Sequence, residues 1–169
     1  MGEQTIIEWP NRDKASSKLT RVLVVLALLG STALITIVTV RGWDLLQEAK
    51  SLQIAFIAIN LIFILQVLRW SRGVLPMAAG MATFVGIFAL VSIDKWYARD
   101  QVGYADRQLS ADLGFLTIII LIVQVVVIVV AIVGFSQNWQ TEVEHRVGFD
   151  DEEPRPSTGG NGPGAALLA

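Results

Sequence analysis

Residues 116–135 read "LTIIILIVQVVVIVVAIVGF", an unbroken apolar run interrupted only by Thr117 and Gln124 and carrying no charge. A helix rises about 1.5 Å per residue, so about 20 such residues cross the ~30 Å hydrocarbon core of a bilayer. Lipid offers no water to an open backbone, so a spanning segment is a helix or a strand of a closed barrel. Barrel strands alternate apolar and polar residues, and this run does not. The stretch therefore predicts a transmembrane helix.

Working outward, charge-free blocks occupy residues 22–40, 51–68, 73–93 and 113–137. Only 17% of the chain is charged, against roughly 25% in soluble domains, and those charges crowd between the blocks. The expected fold is an all-α membrane protein, a four-transmembrane-helix bundle over residues 21–140. A polar N-terminal arm (1–20) precedes it, and an acidic, then Pro/Gly-rich tail (141–169) follows. The first block is longer than the apolar region of a signal peptide, and "TIVTVRGW" offers no small-residue cleavage site, so we read it as retained. Ser16 or Ser17 is a candidate cap for the first helix. Gly42 is a candidate left-handed terminator of the same helix.

Orientation follows from Lys and Arg, which favour cytoplasmic loops. Arg12, Lys14, Lys18, Arg21, Arg69, Arg72, Arg146 and Arg155 fall on one side, and Arg41, Lys50, Lys95, Arg99 and Arg107 on the other. The majority side holds both termini, which are expected in the cytoplasm. Trp43, Trp70, Trp96 and Trp139 each follow the end of a block, where indoles serve as interface anchors. Trp9 and its basic neighbours suit an anionic membrane surface.

Within the blocks, Ser31, Thr32, Asn60, Thr83 and Gln124 lie near the middle and predict one polar layer at the bilayer midplane. Amides in hydrocarbon need partners, so cross-helix hydrogen bonding is the preferred reading, and a polar path for a small solute is the alternative. Gln53 lies two turns from Asn60 on the same face. Ala78, Ala82 and Gly86 form a small-residue stripe that lets helices approach closely. No ionisable residue lies inside any block, and proton relays, coupled-ion sites and voltage sensors lean on such residues. The chain has no cysteine and one histidine, His145, so thiolate ligands are excluded. "EVEHR" at residues 142–146 pairs carboxylate with imidazole but reads as a solvated segment rather than a metal site. No catalytic residue, metal ligand or cofactor is expected, nor any nucleic-acid partner or identified small-molecule substrate.

The loop "SIDKWYARDQVGYADRQLSADLGF" (92–115) spaces Asp94, Asp100, Asp106 and Asp112 six apart, which matches no calcium-loop order. Asp106 or Ser110 suits a helix cap, and Asp112 the positive end of the fourth helix. Tyr97, Arg99, Asp100 and Tyr104 remain candidates for docking another subunit.

The segments "RGWDLLQEAKSLQ", "RWSRGVLP" and "DKWYARDQVGYAD" resemble those of small, uncharacterised four-span membrane proteins of high-GC Gram-positive bacteria, over roughly residues 41–144. That resemblance implies a bacterial plasma membrane and brings no activity or site residue with it. The function expected is that of a non-enzymatic accessory or stabilising subunit of a larger membrane complex, a respiratory complex being one host of suitable size. A small oligomeric channel or carrier using the midplane polar residues is the alternative.

Overall fold

The computed structural model describes residues 4–46, 49–99 and 106–147. Among them the order is β1 (Gln4–Glu8), α1 (Pro10–Asp13), α2 (Ala15–Arg41), α3 (Lys50–Leu68), α4 (Val74–Ala98), α5 (Arg107–Ser136) and β2 (Val143–Val147). Helices α2 to α5 are each long and apolar enough to cross a membrane. They form a four-helix bundle. At 19 residues α3 is about 28 Å long, and at 30 residues α5 reaches about 45 Å. The helices overrun the charge-free blocks, because backbone hydrogen bonding continues where side chains turn polar at the headgroups.

The helices close a ring in which α2 packs on α3 and α5, and α4 packs most extensively on α5. Only few contacts join α3 to α4, although residues 69–73 make the link between them short. The core has two apolar halves. Val24, Leu28, Phe63, Val67, Leu75 and Val127 anchor the half near the α3–α4 turn. Ile35, Val38, Phe56, Val85, Leu113 and Ile120 anchor the other. The remaining helix faces, with residues such as Leu26, Ile62, Phe84 and Val129, stay exposed and apolar, as lipid contact requires.

Three local expectations are corrected. Helix α2 begins at Ala15 with Lys14 at its N-cap and no side-chain cap bond, so neither Ser16 nor Ser17 caps it; Ser17 is buried within it. Gly42 ends α2 at φ −92°, outside the left-handed region. Asp112 lies beyond the first turn of α5, where it pairs with Arg41 at 3.2 Å; Asp106 holds the N-cap position without a side-chain cap bond.

The left-handed positions fall instead on Trp70 (φ 61°) and Asn138 (φ 48°). After α3 the N–H of Ser71 donates to the Gln66 carbonyl and that of Trp70 to Val67, which is the Schellman pattern with tryptophan where glycine is usual. The strain of roughly 1–2 kcal/mol is opposed by ring contacts. The Trp70 ring meets Trp139 edge-on at 5.5 Å, and the Arg21 guanidinium lies 4.4 Å from its centroid.

Asn138 reverses the chain after α5 and carries it towards the N-terminal arm. Asn11 donates to the Asn138 carbonyl at 3.0 Å and Arg12 to that of Trp139 at 3.1 Å. The two polar arms then pair as an antiparallel ribbon, from Gln4 opposite Val147 to Glu8 opposite Val143. Both arms thus lie at the α3–α4 turn, outside an otherwise all-helical bundle.

Glycine positions separate spacing from true close approach. A Cβ on Gly86, in the predicted stripe, would meet Gln124 and Leu121 at an ordinary 3.7 Å. On Gly134 it would come within 3.2 Å of both Leu75 and Trp139, and on Gly42 within 2.8 Å of the Val38 carbonyl. Gly134→Ala and Gly42→Ala should each cost about 1–3 kcal/mol, whereas Gly86→Ala should be neutral or slightly stabilising. Thermal unfolding of the three variants in one detergent checks the order.

Candidate functional site

The middle of the bundle is held by one hydroxyl. Ser31 on α2 accepts from the Gln124 amide of α5 at 2.8 Å and from the Asn60 amide of α3 at 3.3 Å. All three side chains are at least 96% buried. Two donors fill both lone pairs of the serine oxygen, so three helices meet at one atom. No fully buried side-chain nitrogen or oxygen among the described residues lacks a partner.

The other two members of the predicted layer do not join. Thr32 is buried but bonds back to the Leu28 carbonyl of its own helix at 2.7 Å. Thr83 is exposed on α4 and bonds back to Ala79 at 3.0 Å. A threonine hydroxyl satisfies itself on the preceding turn; an amide, with two N–H groups and a carbonyl, cannot do so as readily, which is why Asn60 and Gln124 turn inward. The stripe Ala78, Ala82 and Gly86 is buried, on the helix that packs most closely with α5.

One turn from the polar knot lies a cavity of about 310 Å³. Its apolar wall includes Ile35, Val38, Phe56, Val85, Ala89 and Ile120. Ile35, Phe56 and Ile120 stand four residues from Ser31, Asn60 and Gln124, so an apolar layer separates the cavity from the knot. Gln53, Ser92, Lys95, Arg99 and Thr117 supply its polar side chains, towards the α2–α3 loop end, and the Thr117 hydroxyl is spent on the Leu113 carbonyl of its own helix at 2.7 Å. All four helices and the α2–α3 loop line the cavity, with Phe56 of α3 and Phe88 of α4 on the side where helix contacts are few. Of the polar residues the sequence singled out Gln53 by its spacing from Asn60 and Arg99 as a docking candidate; the cavity itself depends on how far the helices separate, which no local pattern records.

The tryptophans divide into two kinds. Trp43 is 44% exposed beside Lys50, as an interface anchor would be. Trp96 and Trp139 are buried and belong to the core, contrary to the anchor expectation. Trp139 seats its indole on Gly134 of α5, while Trp96 lays its Cβ against Gly114 of α5 and the tip of its indole against Gly42 at the end of α2. Trp139 also donates to Gln137 at 3.0 Å, and Gln137 to Thr20 at 2.8 Å, which ties the end of α5 to α2. Trp70 is half-buried against Trp139.

Among the docking candidates, the Tyr97 ring packs at Gly114 while 40% of the residue stays exposed. Arg99 donates to the Leu45 carbonyl at 3.4 Å. Asp100 and Tyr104 lie outside the described residues.

Several basic residues have a second task that charge counting did not reveal. Arg21 donates to the carbonyls of Val67 and Leu68 at the end of α3, and Arg72 to Phe135 at the end of α5 at 2.8 Å. These are carbonyls that a helix leaves without an intrahelical partner, at the end that favours a cation.

Removing the shared acceptor strands two buried amides at once. Ser31→Ala should therefore destabilise by about 1–4 kcal/mol, two intramembrane bonds at roughly 0.6–2 kcal/mol each. Thr83→Ala should change stability by less than about 0.5 kcal/mol. A double-mutant cycle of Ser31→Ala with Gln124→Leu, read by denaturant unfolding in mixed micelles, should give a non-zero coupling; simple additivity would contradict the shared bond.

No protein-family model matches the chain, and neither a curated protein nor a solved structure matches it.

Proposed function

We propose that the chain is a non-catalytic accessory subunit that stabilises a larger complex in a bacterial plasma membrane, with both termini in the cytoplasm. The observation that carries this reading is the ribbon of β1 and β2. An isolated two-stranded ribbon is marginally stable in water, and neither strand has a second strand beside it among the described residues. Such edges are templates for strand addition by another chain. The ribbon is also fixed to the bundle by Asn11 and Arg12, so a partner gripping it would grip the membrane domain. The balance of Arg and Lys, heavier at this end, supports a cytoplasmic setting.

The closed polar knot weighs against the channel reading. A conducting path needs polar groups that face a lumen, whereas Asn60 and Gln124 spend amide donors on Ser31.

Extraction in gentle detergent followed by native mass analysis should find unlike subunits bound to this chain. Removing residues 1–8 should release them while the helical content of the bundle persists. Recovery of only monomer or homo-oligomer would overturn the proposal. So would liposomes containing the pure protein that conduct a solute and lose the conductance on Asn60→Leu.

A further inference from the structure

We propose that the cavity within the bundle binds one acyl chain of an anionic amphiphile and holds its headgroup on Lys95 and Arg99. This inference is independent of the accessory role. Its volume, about 310 Å³, lies at the lower end of the ~300–1,000 Å³ typical of ligand pockets. It is about twice the ~150 Å³ that admits a benzene ring into a dry protein cavity.

The chemistry of the lining is polarised along the membrane normal. Val85 lies deep, near the polar knot, and Lys95 lies ten residues on, about 15 Å further along α4. The deep part is aliphatic and aromatic, from Ile35, Phe56, Val85 and Ile120. The outer part carries Gln53, Ser92 and the two cations. No carboxylate lines the cavity among the described residues. A purely apolar ligand would leave the two cations unused, and a small anion would leave the deep wall empty. An apolar chain ending in a carboxylate or phosphate satisfies both parts.

Access is from the side. Few contacts join α3 and α4, and Phe88, one of the lining residues, is 47% exposed. A chain can therefore enter from the bilayer past the Phe56 and Phe88 rings, whose centroids lie 5.9 Å apart, without crossing the headgroup layer. Arg99 uses one N–H on the Leu45 carbonyl, and a guanidinium has five donors, so it can position a headgroup while bracing the α2–α3 loop. Lys95 has an exposed, rotatable ammonium suited to adapt to either anion.

Trp96 lines the cavity, and bromine on an acyl chain quenches tryptophan fluorescence on contact. The full chain in detergent, then in phosphatidylcholine bilayers, would be titrated with dibromostearate, brominated phosphatidylglycerol and brominated phosphatidylcholine. The Trp96→Phe variant isolates the signal of that indole. Saturable quenching of Trp96 by either anionic probe is expected, and the tighter of the two identifies the source as free acid or phospholipid. Lys95→Gln should weaken that binding by about tenfold or more, the worth of one charge-assisted contact. Ala89→Leu, which fills the cavity without touching a charge, should abolish it; helicity and a single elution peak establish that both variants fold. Quenching that rises without saturation and equally for phosphatidylcholine would overturn the proposal, as would unchanged affinity in folded Lys95→Gln.

Discussion

The bundle depends on the constraint that an amide in hydrocarbon must find its partner inside the protein. Asn60 and Gln124 find the same partner, the Ser31 hydroxyl. Because both bonds end on one atom, α2, α3 and α5 are fixed against each other in rotation and in depth. An apolar contact tolerates sliding by a fraction of a turn, but these bonds do not. The two apolar halves of the core are built outward from this layer.

Helix α4 has no share in the knot, since Thr83 is exposed and bonds back to its own helix. It is held instead by van der Waals packing of Ala78, Ala82, Val85 and Ala89, mainly through its contact with α5. Membrane helices associate this way because burial from lipid gives little drive. Two modes of attachment thus meet in one ring. Polar bonds tie α3 to the α2 side, and close packing ties α4 to the α5 side. What is left between α3 and α4 is the turn at residues 69–73 at one end, and the Phe56–Phe88 ring contact beside the cavity at the other.

The spans were legible because charge-free length is a direct physical requirement of the bilayer, and four blocks became four helices. Asn60 and Gln124 were legible for the same reason, as costly groups that demand an explanation. What could not be read was which way each group faces. Ser31, Thr32 and Thr83 look alike in sequence, and only the packing partner distinguishes a cross-helix acceptor from a hydroxyl that serves its own helix. Trp96 and Trp139 misled for a related reason. An indole after a span suits the interface on average, but here glycines open seats, Gly134 for the Trp139 ring and Gly42 for that of Trp96, and the rings enter the core. The ribbon was hidden because Gln4–Glu8 and Val143–Val147 are more than 130 residues apart, and short polar strands carry little periodicity.

The cavity is open to one side, and its deep wall of Ile35, Phe56, Val85 and Ile120 lacks partner atoms for dispersion contact. A sequence able to form the α4–α5 contact with alanines could close the α3–α4 seam in the same way, yet it places Phe56, Phe88 and Lys95 around an opening. The seam faces lipid, so the void does not have to stay empty. A chain drawn from the surrounding bilayer restores the missing dispersion contacts at the deep wall, and the cations at the rim select which chains remain. The same separation of α3 from α4 that the polar knot permits thereby becomes a place for a ligand.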